Sequence, residues 1–453
     1  MKIIKTIFLL FLISTLSYSQ EKDSTAVFKK RVLESTEVDF LASYYNQDGT
    51  HSAVSGGIGS EKLNDFATNI TVAMPLNDDD VLTIDLGLSA YSSASSSNIN
   101  PFESTHSGAN NPTPWQASSG ASKSDQLVSA VAVYTHNSDD RNFIWNGDLS
   151  FSNEFDYTSV GFGGGVTKLF NEKNTELSLK ANVYLDQWRP IYPKELDGYA
   201  LYGVTVYDQN GAVSNGYLPS KFAPITSVNR NSYSASFAFS QVVTKNFQFS
   251  VFLDILQQQG LLSTPYHRTY FADKPHYYVG QPQYINDYTS PSNAGVYELA
   301  DDIERLPDTR FKIPIGARFN YYINEHFIVR TYYRYYTDDW DLKAHTFNIE
   351  IPVKISDKFT AYPMYRYYTQ TQAKYFAPYQ THLSTEQFYT SDYDLSTFSA
   401  NQYGFGVSYT DLFARAKIFS FGMKNIDFRF NHYVRSDGLT ADIGTIGFKF
   451  IFQ

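Results

Sequence analysis

Arg330 and Arg334 lie four residues apart in the run Ile328-Val329-Arg330-Thr331-Tyr332-Tyr333-Arg334, which puts both on one face of an extended strand. Arg310, Lys312 and Arg318 share a face in the same way when Phe311, Ile313, Ile315 and Phe319 take the other, and Arg366, Arg429, Arg435 and Lys449 follow in later segments. Earlier segments carry carboxylates at the equivalent place. Asp85 alternates with Leu82, Ile84, Leu86 and Leu88; Asp148 with Phe143, Trp145, Leu149 and Phe151; Glu176, Lys180 and Asp186 with Leu177, Leu179, Val183 and Leu185; Asp254 with Phe247, Phe249, Val251 and Leu253. Glu37 and Asp39 join this acidic set, while Glu350 and Asp427 interrupt the basic one. Guanidinium groups on one wall of an aqueous passage and carboxylates on the other would orient and filter dipolar or charged solutes. The competing expectation is that the charges pair across strands or with loops and close the space.

Other chemistry is sparse. Serines and histidines are scattered without a nucleophile–base constellation, so the chain reads as no enzyme. Gly161-Phe162-Gly163-Gly164-Gly165 lacks the Lys and Ser/Thr of a phosphate loop and reads as strand glycines permitting curvature, and Gly56-Gly57-Ile58-Gly59 as a sharp loop bend. His267, Asp273 and His276 share one Tyr-rich loop and are a loose candidate metal set. Asp301-Asp302 and Asp338-Asp339-Asp341 are candidates for calcium beside lipopolysaccharide phosphates, whereas Asp78-Asp79-Asp80 and Asp139-Asp140 read as solvated turn residues; no other cofactor is expected. Tyr266, Tyr270, Phe271, Tyr277 and Tyr278 read as part of an interfacial aromatic girdle, ahead of a surface that stacks on sugars or grips a protein. The formal charge of −10 disfavours nucleic acid.

The elements that must position these charges are strands. Thirty-seven Tyr and 35 Phe among 453 residues accompany a negative mean hydropathy, and helical periodicity is nearly absent beyond a short stretch near Ala26–Leu33. The chain ends Gly447-Phe448-Lys449-Phe450-Ile451-Phe452-Gln453, so Ile446, Phe448, Phe450 and Phe452 form one apolar face. That is the pattern of a closing strand facing lipid, with a terminal aromatic read by barrel-assembly machinery; a buried edge strand of a soluble sandwich is the alternative. Met1-Lys2-Ile3-Ile4-Lys5, an apolar stretch from Ile7 to Leu16 and Ser17-Tyr18-Ser19 read as a signal peptide over 1–19, cut between Ser19 and Gln20. Losing Lys2 and Lys5 takes the charge from −10 to about −12. The chain has no Cys, which excludes disulfides, a cysteine-ligated cluster and a lipoprotein anchor.

Period-two alternation predicts about sixteen strands, over 36–46, 65–75, 81–93, 124–136, 141–153, 158–170, 175–187, 231–243, 246–259, 308–323, 326–336, 342–354, 358–370, 401–411, 424–435 and 440–452. Short turns follow the even-numbered strands. Long Ser-, Gly-, Asn- and Pro-rich segments at 94–123, 188–230, 260–307 and 371–400 follow odd-numbered ones. The expected fold is an all-β, transmembrane, antiparallel up-and-down barrel over 36–453, preceded by a short periplasmic segment at 20–35. Both termini are periplasmic and the long loops outside; an obscure connection at 411–424 leaves fourteen strands open. No plug domain precedes the first strand, no sizeable core is expected, and any constriction falls to inward-folded loops.

Several segments resemble an uncharacterised family of bacterial outer-membrane proteins common in the Bacteroidota. They are His51–Leu63, Ser119–Ser122, Asn153–Ser159, Asp338–Trp340 with Ala344–Thr346, and Tyr365–Tyr368. The resemblance implies one barrel domain of unknown function, with no established catalytic or binding residues. It also implies neighbouring small lipoproteins, thioredoxin-like proteins and a flavin transferase, and hence service to a periplasmic redox or export pathway. The matched segments fall at predicted outer strand ends, where a rigid barrel carries its sites. Glu61, Glu154, Asp156, Asp339, His345 and Arg366 are therefore candidates for an outer-end site. The expected function is a channel or export barrel for small polar or charged solutes in the outer membrane. The alternative is a non-conducting binding or structural barrel, plugged by its own loops and partnered with a small lipoprotein or periplasmic protein.

Overall fold

The computed structural model describes residues 30–93, 124–193, 195–196, 205–219, 221–289, 295–418 and 420–452. The expected signal peptide and the 94–123 segment lie outside them, including the resembling stretch Ser119–Ser122. Among the described residues sixteen long strands close into one antiparallel barrel. The first eight are β1 (Glu37–Asp48), β2 (Leu63–Pro75), β3 (Asp80–Ser93), β4 (Ser124–Asn137), β5 (Phe143–Asn153), β6 (Tyr157–Phe170), β7 (Thr175–Trp188) and β8 (Asn229–Thr244). They are followed by β9 (Phe247–Gly260), β10 (Thr309–Tyr322), β11 (Ile328–Asp338), β12 (Lys343–Glu350, continued by Val353–Lys354) and β13 (Phe359–Gln370). The last three are β14 (Phe398–Thr410), β15 (Phe421–Arg435) and β16 (Thr440–Phe452). Each strand pairs with the next, and β16 pairs back to β1 from Glu37↔Ile451 to Asp48↔Thr440, so closure leaves no open edge.

The alternation read from the sequence places every strand within three residues of its observed ends. The fourteen-strand alternative falls away because β14 and β15 are separate strands joined through 411–420. One departure has a local cause. The strand expected over 342–354 is interrupted at Ile351-Pro352, because Pro352 has no N–H to give the ladder; its carbonyl still accepts from Ile328 N at 3.1 Å.

The barrel's outside is apolar. Leu86, Leu149, Phe151, Leu179, Phe237, Ile315, Phe428 and Phe430 are exposed, Leu149 by 67 %. Each large apolar side chain moved from water into hydrocarbon gains about 1.5–3 kcal/mol, so a belt of them around a closed barrel needs a bilayer. No helix among the described residues is long and apolar enough to cross a membrane; the strands do it. The closing seam follows the same logic, with Phe448 against Phe40 at 6.2 Å on the outside and Lys449 Nζ 2.7 Å from Glu37 on the inside.

The two ends differ. At the short-turn end, residues 30–36 lie against the turns after β2 and β4: Arg31 pairs with Asp78 at 3.1 Å, Val32 N donates to the Asp78 carbonyl at 3.0 Å, and Arg141 reaches the Lys30 carbonyl and the Asp79 carboxylate. At the other end the loops after β7, β9 and β13 fold into a cap with its own core. Short ladders join Arg268–Thr269 to Asp302–Ile303, and Tyr277–Gly280 to both Val296–Glu298 and Tyr207–Asp208. One cluster collects Val206, Tyr217, Val279, Tyr297 and Leu299; another collects Leu196, Tyr270, Ala300 and Ile303.

This core corrects two expectations. The chain does bury a sizeable core, in its loops. Tyr270, Phe271 and Tyr278 are buried in the cap, with Tyr277 packed against it and Tyr266 edge-on to His267, and so are not girdle residues. Aromatic rings rim a membrane only where no packed partner covers them, and here neighbouring loops do. Gly56 and Gly57 in the first loop have φ of 78° and 89°. A Cβ on Gly56 would meet the Tyr270 ring at 2.6 Å and one on Gly57 the Ser391 carbonyl at 2.7 Å, so glycine lets this loop seat against the cap.

Candidate functional site

Two cavities stack inside the barrel. The upper, about 730 Å³, has walls from the strand ends, including Tyr45, Gln402 and Tyr433. Its ceiling comes from the first loop, through Val54, and from the cap, through His267 and Asp392. The lower, about 810 Å³, is lined by Arg318, Arg330, Arg334, Arg366 and Arg429, with Glu350 and polar residues such as Asn348 between them. Arg366 and Gln402 border both, so the two form one lumen.

Of the nine basic residues read from the sequence, Arg435 pairs with Asp394 and Asp437 and Lys449 with Glu37 and Asp39; the other seven are on β10, β11, β13 and β15 and divide into two kinds. Arg310 binds Asp338 at 2.5 Å and lies 4.2 Å over Trp340, with Lys312 opposite Asp338 in the ladder. Arg330 pairs with Glu350 at 2.8 Å, and Arg429 with Asp427 at 2.9 Å and Glu350 at 3.9 Å. Arg318, Arg334 and Arg366 make no ion pair among the described residues. Arg318 rests 5.5 Å from the Tyr332 ring and Arg334 5.8 Å from the Tyr336 ring, contacts that orient a guanidinium without neutralising it. Pairing therefore accounts for part of the basic wall and leaves three cations facing one water-accessible space.

Of the carboxylates on the facing strands, Asp85, Asp148 and Glu176 have side-chain partners. Asp85 accepts from Asn69 at 2.7 Å and Thr71 at 2.6 Å, Asp148 lies 3.4 Å from Lys180, and Glu176 accepts from Ser178 at 3.1 Å. Asp186 is buried opposite Ser159, and Asp254 stands opposite Ser236. The glycines Gly161 to Gly165 lie within β6, and Asp148 and Asn182 lean over Gly163, where a Cβ would meet both.

The outer-end candidates do not form one site. Glu61 lines the upper cavity and Arg366 borders it. Glu154 and Asp156 sit in the β5–β6 connection, where Asp156 accepts from the Trp188 indole at 3.2 Å. Asp339 caps the β10 rim, accepting from Phe311 N at 3.0 Å. His345 is on the barrel's outside beside Tyr333, whose hydroxyl is 2.8 Å away, because Thr346 and Asn348 take the lumen face of β12.

Burial pushes the Glu61 carboxyl up to about 7, opposed by Arg435 and reinforced by Asp394 and Asp437. It is mainly neutral below that pH and charged above it. A unit charge roughly 8 Å from a passing ion in water is worth about 0.5 kcal/mol. Acidification from pH 8 to pH 6 is thus expected to raise the permeability to small anions about twofold through this residue. Reversal potentials measured across that pH range for the wild type and Glu61→Gln should converge at pH 6 and separate at pH 8.

The loop histidines are placed differently from the sequence expectation. His267, Asp273 and His276 do not converge: His276 is 2.7 Å from Glu298, Asp273 accepts from Ser384, and His267 Nδ1 is 3.3 Å from Glu304. The outer acidic clusters already have protein partners, Asp301 from Phe271 N at 2.9 Å and Asp302 from Arg305 and Tyr389. Sequence reasoning missed Glu195, Arg268, Glu304 and Asp392. Arg268 and Glu195 form a buried pair at 2.5 Å whose partners are 73 residues apart, and no local pattern marks either. Glu304 stands two residues after Asp302 of the Asp301-Asp302 cluster, a signal the sequence carries.

The model of the family described as protein of unknown function (DUF3570) matches residues 7–447, so the chain belongs to that family. No curated protein matches it. Among solved structures it is similar to a bacterial polysaccharide outer membrane secretin, with 9 % identity, a TM-score of 0.42, and 92 % of this chain and 98 % of that one covered. It is also similar to a BenF-like porin from Pseudomonas fluorescens Pf-5, with 7 % identity, a TM-score of 0.39, and 93 % and 100 % covered. A Pseudomonas aeruginosa FadL homologue aligns with 9 % identity, a TM-score of 0.36, and 93 % and 90 % covered.

Proposed function

We propose that this member of the DUF3570 family is an outer-membrane channel for small polar or charged solutes, without catalytic activity, whose lumen is charge-segregated and favours anions at its basic wall. The observation that carries the reading is the lower cavity, where Arg318, Arg334 and Arg366 have no carboxylate partner among the described residues while Arg330 and Arg429 have theirs. A barrel built only for rigidity gains nothing from leaving cations unpaired beside an enclosed space; a passage for solutes gains an attractive potential. The signal peptide is removed after Ser19, the short-turn end and both termini face the periplasm, and the cap faces outward beside lipopolysaccharide. The barrel-assembly machinery reads the β16 aromatics during insertion.

A second reading has its own observation. The cap is internally packed and pinned by the Arg268–Glu195 pair, which suits a barrel closed by its loops and partnered with a small lipoprotein or periplasmic protein. Liposome swelling separates the two. Vesicles carrying the refolded barrel are expected to admit small organic anions such as acetate and succinate faster than a neutral sugar of equal size. Vesicles no more permeable than protein-free ones would favour the closed barrel, and pull-down from native membranes would then seek its partner.

A further inference from the structure

We propose that His267, Glu304 and Asp392 form a binding site for a divalent first-row transition-metal ion, zinc or a congener, which ties two loops of the cap together above the upper cavity. The three come from two loops: His267 and Glu304 from the one after β9, Asp392 from the one after β13. Their ligand atoms lie within 4.8 Å of one another. His267 Nδ1 and Glu304 Oε2 are 3.3 Å apart. With metal–ligand bonds of about 2.0–2.1 Å, the edge of a tetrahedron is about 3.3 Å, so two ligands already stand at metal-bound spacing. Asp392 needs only a small side-chain movement to complete the face.

Three further observations point to a cation. Glu304 is buried and Asp392 is close to it, yet the only ion pair either makes among the described residues is that of Glu304 with His267. Two carboxylates and a neutral imidazole balance a dication. The carboxylates are also held in place, as metal ligands usually are: Glu304 accepts from Thr264 N at 2.7 Å and Thr390 Oγ1 at 2.5 Å, and Asp392 from Asp394 N at 2.9 Å. Finally, His267 and Asp392 line the upper cavity, which leaves a coordination position open to water or a passing ligand. One imidazole with two carboxylates suits zinc, manganese or cobalt better than a thiophilic ion, and the imidazole disfavours calcium. The site is independent of conduction, since a silent barrel would still bind the ion.

The test uses the full-length folded barrel in detergent, without a histidine tag and stripped by chelation, titrated with zinc chloride by calorimetry and with cobalt chloride by visible absorption. One ion per barrel is expected, with a cobalt spectrum that zinc abolishes. His267→Ala and, separately, Asp392→Asn should each weaken binding at least tenfold, while His345→Ala on the outer surface leaves it unchanged. At a zinc concentration about 100 times the wild-type dissociation constant, proteolysis of the cap should slow about 100-fold in the wild type and no more than about tenfold in Asp392→Asn. Absence of saturable binding by zinc, cobalt and manganese to folded protein would overturn the proposal. So would equal binding by the wild type and both variants.

Discussion

Replacing Arg318, Arg334 and Arg366 together by alanine is expected to lower the permeability to small anions about tenfold in roughly 0.1 M salt. In water, a unit charge roughly 5 Å from a permeating ion is worth about 0.8 kcal/mol. A Debye length of about 10 Å reduces three such charges to a total near 1.4 kcal/mol, which is the tenfold effect. Raising the salt to about 1 M should shrink the difference to about twofold, because screening then acts over about 3 Å. Arg366→Ala alone should cost two- to threefold by the same estimate. The triple lysine variant should stay within about twofold of the wild type, since it keeps the charge and loses only the guanidinium geometry. These three are singled out because Arg330, Arg429 and Arg310 already face Glu350, Asp427 and Asp338. Anion permeability unmoved by the triple alanine variant would show that the lower cavity does not govern passage.

Arg268→Met should open the cap. The Arg268 and Glu195 side chains are completely buried, Nε to Oε1 at 2.5 Å and Nη2 to Oε2 at 3.2 Å, and Arg268 Nη1 also donates to the Val54 carbonyl at 2.9 Å. Its guanidinium lies 5.3 Å from the Tyr297 ring. One cation thus joins the loop after β7, the loop after β9 and the first loop. Removing one member of a buried pair costs about 3–5 kcal/mol, mostly by stranding the other charge. The sixteen-strand ladder does not depend on that pair, so the loss should stay within the cap. Limited proteolysis is expected to cleave the 195–219 and 265–305 segments at least 100-fold faster, each 1.4 kcal/mol being tenfold in the open population, while the barrel remains folded in detergent. Glu195→Leu combined with Arg268→Met should recover much of the resistance, because no charge is then stranded. If cap opening admits solute, Arg268→Met channels will also show longer open times. Unchanged proteolysis would mean that the cap is held by its aromatic packing alone.

The barrel was legible in the sequence because alternation is local. Phe448, Phe450 and Phe452 announce their shared face within five residues, and Leu82 to Leu88 and Phe247 to Leu253 do the same. The charge positions follow from the same parity, which by itself puts Arg318, Arg334 and Arg366 on the lumen face. Parity does not say which charges pair. That Arg330 meets Glu350 while Arg334 meets no carboxylate among the described residues depends on register across β11 and β12 and on the β15 neighbour.

The cap was not legible for the opposite reason. Its segments have no period, and its decisive contacts join residues such as Arg268 and Val54, which are 214 positions apart. Composition recorded the aromatic density of the 260–307 segment but could not distinguish rings packed on one another from rings lying in a membrane interface. The candidate metal triad was missed likewise, because Asp392 reaches His267 only through folding of the loop after β13.

The most direct test of the account is the reversal potential of the refolded wild-type barrel in a planar bilayer under an about tenfold potassium chloride gradient at pH 6. The account predicts stable conductance steps whose reversal potential has the sign of chloride preference, shifting toward zero in the Arg318→Ala, Arg334→Ala, Arg366→Ala triple variant. A barrel shown to be folded that stays silent, or one selective for potassium at that pH, would contradict it.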